Sequence, residues 1–114
     1  MTDELDQHFT NREPVVRAIY DRLMAHLAEL GEVEARPKKS SIHLTHRTDF
    51  AGVHPRKAYL NLEFKTEQPI DHPRVQKSEQ VSRNGYHNTV RLDSPDGVDA
   101  ELLAWLEDSY RLSG

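Results

Sequence analysis

The chain has 114 residues, of which 30% are charged and 36% hydrophobic, a length that suits one hydrophobic core and a single domain over residues 1–114. No apolar run approaches the roughly 18 residues of a membrane-spanning helix, and the acidic N-terminus lacks the positive charge that opens a secretory signal. Because there is no cysteine, disulfides and thiol chemistry are excluded, and a cytoplasmic location without membrane association is expected.

The formal net charge of −4 conceals an uneven distribution. Residues 36–91 contain eleven Lys and Arg against five Asp and Glu, whereas the rest of the chain contains four against fourteen. Five of the seven histidines also lie in this basic middle segment. Such segregation indicates either an anionic partner or two acidic helices that pack on a basic sheet and balance its charge.

The N-terminal part of the chain predicts helices. Thr2–Phe9 is expected to form a short helical turn, and a longer amphipathic helix follows. Its apolar stripe has a spacing of four residues: Val15, Ile19, Leu23 and Leu27. Thr10 and Glu13 match a capping box, Pro14 suits the first helical turn, and Gly31 suits the helix end.

From Val33 to Leu92 the hydrophobic period becomes two, which predicts strands. The expected strands are Val33–Ala35, Ser40–Thr45, Phe50–Val53, Ala58–Lys65 and a final hairpin pair. Asn84-Gly85 is the preferred dipeptide of a type I′ turn, and such a turn would place Glu79 opposite Val90. Ser94-Pro95 is then expected to open a last helix, which buries Leu102, Leu106 and their apolar neighbours.

Short connections between the strands cannot supply the helical crossovers that parallel neighbours need. The predicted fold is therefore an α+β two-layer sandwich, in which a mostly antiparallel sheet of five or six strands packs its N- and C-terminal helices on one face.

The uncovered face of this sheet is expected to be polar. Strand alternation collects on it Ser41, His43, Thr45, Tyr59, Asn61, Glu63, Lys65, Ser78, Gln80, Ser82, His87, Thr89 and Arg91. Antiparallel sheets often leave one polar face in water, so a solvated surface is one interpretation. The mixture of imidazole, phenol, amide and guanidinium groups also suits a phosphate, a carboxylate or a nucleobase.

Basic loops adjoin this face. Lys38 and Lys39 precede one strand, and the turn His54-Pro-Arg56-Lys57 brings three basic side chains together. Such clusters attract phosphates, either in a small molecule or in nucleic acid. Single-stranded nucleic acid also requires aromatic stacking platforms, and only Tyr59 is placed to supply one.

Catalytic and metal sites have weaker support in the sequence. No helical HxxxH spacing exists, so a metal site would need tertiary convergence of His43 and His87 with Glu63. Asp49 followed by Glu63-Phe-Lys65 matches a short nuclease-like pattern. Glu63 and His87 also suit acid–base chemistry. No catalytic residue, metal or cofactor is assigned on this basis.

One stretch, Phe-Ala-Gly-Val-His-Pro-Arg-Lys-Ala-Tyr-Leu-Asn-Leu-Glu-Phe at positions 50–64, resembles the signature of an uncharacterised bacterial family, a domain of unknown function. Further similarity lies at 38–44, 86–87, 90–92 and 102–106. The resemblance implies a domain that is found alone or at the C-terminal end of larger proteins, which are either predicted transport proteins or restriction-associated proteins. It implies an accessory binding role more than a complete enzyme, and supplies no established catalytic residue.

The sequence thus predicts binding of an anion, either a phosphorylated metabolite or a nucleic acid, on the basic open face. The candidate binding residues are Lys38, Lys39, His43, His54, Arg56, Lys57, Tyr59, Asn61, Glu63, His87 and Arg91. A small hydrolase that uses Glu63 and His87, or a module that docks a protein on the sheet face or edge, remain alternatives.

Overall fold

The computed structural model describes residues 4–113, in which six strands form one antiparallel sheet. The helices are α1 (Glu4–Gln7), α2 (Pro14–Leu27) and α3 (Ala100–Ser113), with a 3₁₀ turn at Pro95–Gly97. The strands are β1 (Glu34–Pro37), β2 (Ile42–Thr45), β3 (Asp49–Pro55), β4 (Leu60–Thr66), β5 (Val75–Ser82) and β6 (Gly85–Leu92). The spatial order β1-β2-β3-β4-β6-β5 confirms the predicted α+β fold.

The core lies between the sheet and the two long helices. Leu60, Leu62 and Phe64 alternate along β4 and are fully or almost fully buried. The buried stripe of α2 and the residues Leu102 and Leu106 of α3 belong to the same hydrophobic cluster. Since every second residue of β4 points inward, the intervening residues are left for the opposite, open face of the sheet.

The start of α2 differs from the prediction. The structure places Glu13 at the N-cap, without a side-chain capping bond, so the expected Thr10–Glu13 capping box is wrong. Thr10 instead donates its hydroxyl hydrogen bond to the carbonyl of Asp6. Pro14 begins the helix as expected, and α2 ends at Leu27 rather than at Gly31. Residues 2 and 3 of the helical turn predicted from Thr2 lie outside the described residues, and α1 occupies part of the remainder.

The hairpin between β5 and β6 turns at Arg83 and Asn84, and the predicted type I′ turn is wrong. Within residues 4–113 the positive φ angles occur at Asn11 and Gly31, so neither Asn84 nor Gly85 has the φ that a type I′ turn requires. A Cβ atom at Gly85 would lie 2.6 Å from the Ser82 hydroxyl oxygen, so a larger residue there would require the Ser82 side chain to rotate away.

This turn changes the strand register, and with it the composition of the open face. Glu79 pairs with His87 instead of Val90, which is a shift of three positions. An odd shift exchanges the two faces of a strand. Ser78 and Gln80, which were expected on the open face, therefore lie on the helix side. Lys77 and Glu79 take their place on the open face.

The C-terminal helix also begins later than predicted, because Ser94-Pro95 opens the 3₁₀ turn and α3 starts at Ala100. Asp99 accepts a hydrogen bond from the Leu102 N–H at 3.1 Å, so its carboxylate caps α3. The hydrogen bond from the Leu102 N–H and the Arg74 guanidinium both lower the pKa of Asp99, whereas partial burial raises it. The net result is a pKa below the ordinary value. Among the described helices, none is long and apolar enough to cross a membrane.

Candidate functional site

Cross-strand pairing arranges the open face in rows. One row contains His43, Gly52, Glu63, Thr89 and Lys77, one residue from each strand from β2 to β5 in spatial order. The flanking rows are His54 with Asn61 and Arg91, and Lys65 with His87 and Glu79. Six of the predicted binding residues therefore share one face: His43, His54, Asn61, Glu63, His87 and Arg91.

Gly52 leaves a gap in the middle of this face, because it has no side chain between His43 and Glu63. The gap is a depression of about 170 Å³, which we call the histidine hollow. Its lining includes His43, Asp49, Gly52, His54, Glu63, Lys65 and His87. The hollow thus gathers three imidazoles, two carboxylates and one ammonium group.

The first histidine of the hollow is paired with Asp49. The His43 Nδ1 lies 2.9 Å from Asp49 Oδ2, and the Thr45 hydroxyl donates to Asp49 Oδ1 at 2.7 Å. The Thr45 hydrogen bond, with a further contribution from His43, holds the pKa of Asp49 below its ordinary value. Asp49 is therefore an ionised carboxylate that fixes the orientation of the His43 ring.

A second pair lies on the other side of Gly52, where His87 Nδ1 is 3.1 Å from Glu63 Oε1. The third ring, His54, is more buried, and burial lowers its pKa although the Glu63 carboxylate acts in the opposite direction. His54 is accordingly neutral at about pH 7 and is able both to donate and to accept a hydrogen bond.

The hollow does not have the geometry of a metal centre. Among residues 4–113, no group of three or more His, Asp or Glu side chains is arranged to hold a metal ion. The convergence of His43, His87 and Glu63 that a metal site would require is therefore not found. The two carboxylates instead each hold one imidazole.

Arg91 lies at the edge of the open face with its side chain already engaged. Its guanidinium carbon is 3.8 Å from the centroid of the Tyr59 ring, and its Nε donates to Asp93 at 2.8 Å. Asn61 neighbours Arg91 across the strands, and its Oδ1 is buried with no hydrogen-bond partner within the described part of the chain. A buried amide oxygen without a donor is uncommon, so Asn61 has unused capacity to accept a hydrogen bond.

A second concave region lies at the end of the sheet where two turns meet. Lys38 N–H donates to the Ser41 carbonyl at 2.7 Å in the β1–β2 turn, and Arg56 N–H donates to the Tyr59 carbonyl at 2.8 Å in the β3–β4 turn. Because neighbouring strands are antiparallel, both turns project from the same end of the sheet. This places the basic loops at 38–39 and 56–57 side by side.

The segment between α1 and α2 completes this region. Glu13 N–H donates to the Lys57 carbonyl at 2.8 Å, which joins the start of α2 to the β3–β4 turn. Arg12 Nε donates to the His8 carbonyl at 3.2 Å. The resulting cleft has a volume of about 590 Å³, and we call it the basic groove. It is lined by Gln7, His8, Arg12, Lys38, Lys39, Ser40, Pro55 and Arg56.

The charge of the basic groove is not balanced by its own lining. No Asp or Glu is among its lining residues, and no carboxylate of residues 5–113 forms an ion pair with its Arg or Lys side chains. All four of these cationic residues are exposed: Arg12, Lys38, Lys39 and Arg56. The groove is thus a concentration of positive charge with free donors.

A family model described as "Domain of unknown function (DUF5655)" matches residues 5–113, which is nearly the whole chain. The chain belongs to the DUF5655 family. This confirms the resemblance to an uncharacterised family that the sequence indicated. No curated protein and no solved structure matches the chain.

The sequence-predicted site of this DUF5655 domain divides between the two concave regions. His43, His54, Glu63 and His87 line the hollow, whereas Lys38, Lys39 and Arg56 line the groove. Tyr59, Asn61 and Arg91 lie together beside them, and Lys57 lies in the groove's turn without lining it. Sequence reasoning missed His8 and Arg12, because their position depends on the tertiary bond from Glu13 to Lys57.

Proposed function

We propose that this DUF5655 domain binds a phosphate-bearing anion, with the basic groove as the site that receives the charge. The observation that carries the proposal is the groove lining, which brings together Arg12, Lys38, Lys39, Arg56 and the imidazole of His8 without an acidic side chain. Arginine and lysine supply charge-assisted hydrogen bonds to phosphate, and Coulomb attraction of this kind is strongest where no local carboxylate competes.

The cations of the open face have a different role in this proposal. Arg91 forms an ion pair with Asp93, and Lys77 forms one with Glu79 at 2.7 Å, so a neighbouring carboxylate offsets the positive charge of each. His54 lines the hollow, and the next two residues, Pro55 and Arg56, line the groove, so the two regions are adjacent along the chain. A ligand whose phosphate lies in the groove would therefore meet the neutral imidazole of His54 on the side of the open face.

Salt dependence tests this proposal and separates its two ligand classes. A fluorescent single-stranded oligonucleotide that makes about four phosphate contacts should lose about 50-fold in affinity between about 50 and 200 mM salt. If the ligand is instead a phosphorylated small molecule, the domain should bind pyrophosphate or ATP in calorimetry and should not bind the oligonucleotide. Absence of binding to all three probes at low salt, or binding that salt leaves unchanged, would contradict the proposal.

A second candidate function rests on the two imidazole–carboxylate pairs of the hollow. Each pair fixes one ring nitrogen, Nδ1, and leaves Nε2 without a partner in the described part of the chain. A carboxylate that orients a histidine in this way is the arrangement used for general acid–base catalysis. Lys65 lines the same hollow and supplies a positive charge.

The reaction that suits this arrangement is hydrolysis of a phosphodiester. His87, held by Glu63, would take a proton from water at Nε2 while the water oxygen forms a bond to phosphorus. The bond from phosphorus to the leaving oxygen breaks, and protonated His43, held by Asp49, donates its proton to that oxygen. Lys65 would offset the charge on the phosphoryl oxygens.

The test is turnover of bis(p-nitrophenyl) phosphate, with and without Mg²⁺. The Glu63→Gln variant should lose at least about 100-fold in rate, because it removes the carboxylate that orients the base. Glu79→Gln is the matched control, since Glu79 also faces His87 across the strands but its carboxylate is paired with Lys77. No turnover by the parent protein, or equal rates in parent and Glu63→Gln, would exclude this second function.

A further inference from the structure

The strand β5 lies at one edge of the sheet. It pairs with β6 on one side, and the strand order leaves its other side without a neighbouring strand among the described residues. Val75–Ser82 is also eight residues long, so its outer edge presents a row of backbone donors and acceptors. Such an edge is a template for pairing with a further strand.

The sequence of β5 is self-complementary in the antiparallel sense. Ser78 is the central residue of the segment Val-Gln-Lys-Ser-Glu-Gln-Val at 75–81. Lys77 and Glu79 lie one position from it, Gln76 and Gln80 lie two positions from it, and Val75 and Val81 lie three positions from it. A two-fold axis at Ser78 therefore opposes unlike charges and like neutral side chains.

We propose that β5 pairs with β5 of a second copy of this chain, antiparallel about a two-fold axis at Ser78. The two sheets then form one continuous sheet across the dimer. Lys77 faces Glu79 of the partner subunit, and Glu79 faces Lys77 of the partner subunit. Val75, which packs against the core, and Val81, which is 48% exposed, lie at the two register shifts where this regular pairing ends.

The placement of the charges supports a second copy as the occupant. Lys77 and Glu79 pair with Thr89 and His87, so both point to the open face and are exposed. Within one chain they form an ion pair of 2.7 Å. In the dimer the Lys77–Glu79 pairs of the two subunits lie side by side and run in opposite directions. The four charges therefore alternate in sign around the cluster. Opposite charges directly across an antiparallel pair stabilise it, whereas like charges destabilise it.

The irregularities of β5 limit the strength of this dimer. The β5–β6 register shifts between Val75 and Lys77 and again between Gln80 and Ser82. The regular part, Lys77–Gln80, is centred near Ser78, so the ladder between subunits is short. A contact of this size lies below the roughly 1,200 Å² of a standard interface, and we expect a reversible dimer that forms as protein concentration rises.

Sedimentation equilibrium over the micromolar range tests the proposal with charge reversal. The parent protein should show a concentration-dependent dimer. Lys77→Glu or Glu79→Lys should weaken it at least about tenfold, because each places two like-charged pairs across the interface. The double variant Lys77→Glu/Glu79→Lys restores unlike pairs and should dimerise as the parent does. Arg47→Glu is the matched control, a reversal of one exposed cation in the β2–β3 turn.

The register of the β5–β5 pairing can be measured separately with spin labels on an introduced cysteine, because the chain has no cysteine of its own that would also be labelled. A spin label on Gln80→Cys lies two positions from the axis within the regular part of β5, so the two labelled backbones should be about 14 Å apart at about 3.4 Å per residue. A parent protein that stays monomeric, a dimer that Lys77→Glu leaves intact, or a double variant that fails to recover would each overturn the proposal. These outcomes do not depend on anion binding by the basic groove.

Discussion

Replacing Asn88 with alanine is expected to lower the free energy of unfolding by about 2–3 kcal/mol. Asn88 is fully buried on the helix side of β6. Its Oδ1 accepts a hydrogen bond from the Ser78 hydroxyl at 2.6 Å, and its Nδ2 donates to the Thr66 hydroxyl at 2.8 Å. Alanine would leave the half-buried hydroxyls of Ser78 and Thr66 without this partner, and would leave a small cavity as well.

Urea denaturation of Asn88→Ala beside Thr89→Ala measures this effect. Thr89 is the next residue of β6 and points to the open face, so its replacement should change stability by less than about 0.5 kcal/mol. Equal stability of Asn88→Ala and the parent would show that the network does not hold the β5–β6 register. The network matters because Ser78 also accepts the Ile70 N–H at 3.4 Å, which ties the preceding loop to the sheet.

The same network explains why the hairpin was the least predictable element. The dipeptide Asn84-Gly85 favours a local type I′ turn, but the register that it implies would oppose Asn88 to Val81. In the structure Asn88 opposes Ser78, with which it forms a hydrogen bond, and Val81 lies in the irregular part of β5. Satisfying a buried amide outweighs the turn preference of two residues, and sequence periodicity does not contain that information.

The rest of the fold follows from periodicity. The four-residue spacing in α2 and the alternation in β4 each predict which side is buried, and both predictions are confirmed. Helix ends were less predictable, since Asp99 rather than Ser94 caps α3. Which residue caps the helix depends on where the chain leaves the sheet. Arg74, in the loop before β5, fixes that position by donating hydrogen bonds to Asp99 and Glu101.

The candidate site was predictable to the extent that it lies on regular strands. Alternation correctly grouped His43, Glu63 and His87 on one face. Alternation does not indicate which charges on that face are already paired, and Arg91 is held by Asp93. It also cannot predict that α1 and the following turn lie beside the β3–β4 turn, so the contribution of Arg12 to the groove required the tertiary structure.

The second large effect expected is the loss of anion binding when the groove is reversed in charge. Lys38 and Arg56 lie on the two turns that form the groove, and neither is in an ion pair with a carboxylate that the structure describes. A charge-assisted hydrogen bond contributes about 1.5–3 kcal/mol, so removing two of them weakens binding by at least about 100-fold. Because both side chains are exposed, the melting temperature of Lys38→Glu/Arg56→Glu should stay near that of the parent.

The most direct measurement is therefore the affinity of parent, Lys38→Glu/Arg56→Glu and Arg47→Glu/Arg83→Glu for pyrophosphate and for a single-stranded oligonucleotide at low salt. The third protein has the same net charge as the second, but its changes lie on the turns at the other end of the sheet. Binding lost in the groove variant and retained within a fewfold in the control is the predicted result. Equal weakening in both variants would show that only net charge attracts the anion, and the groove would not be its site.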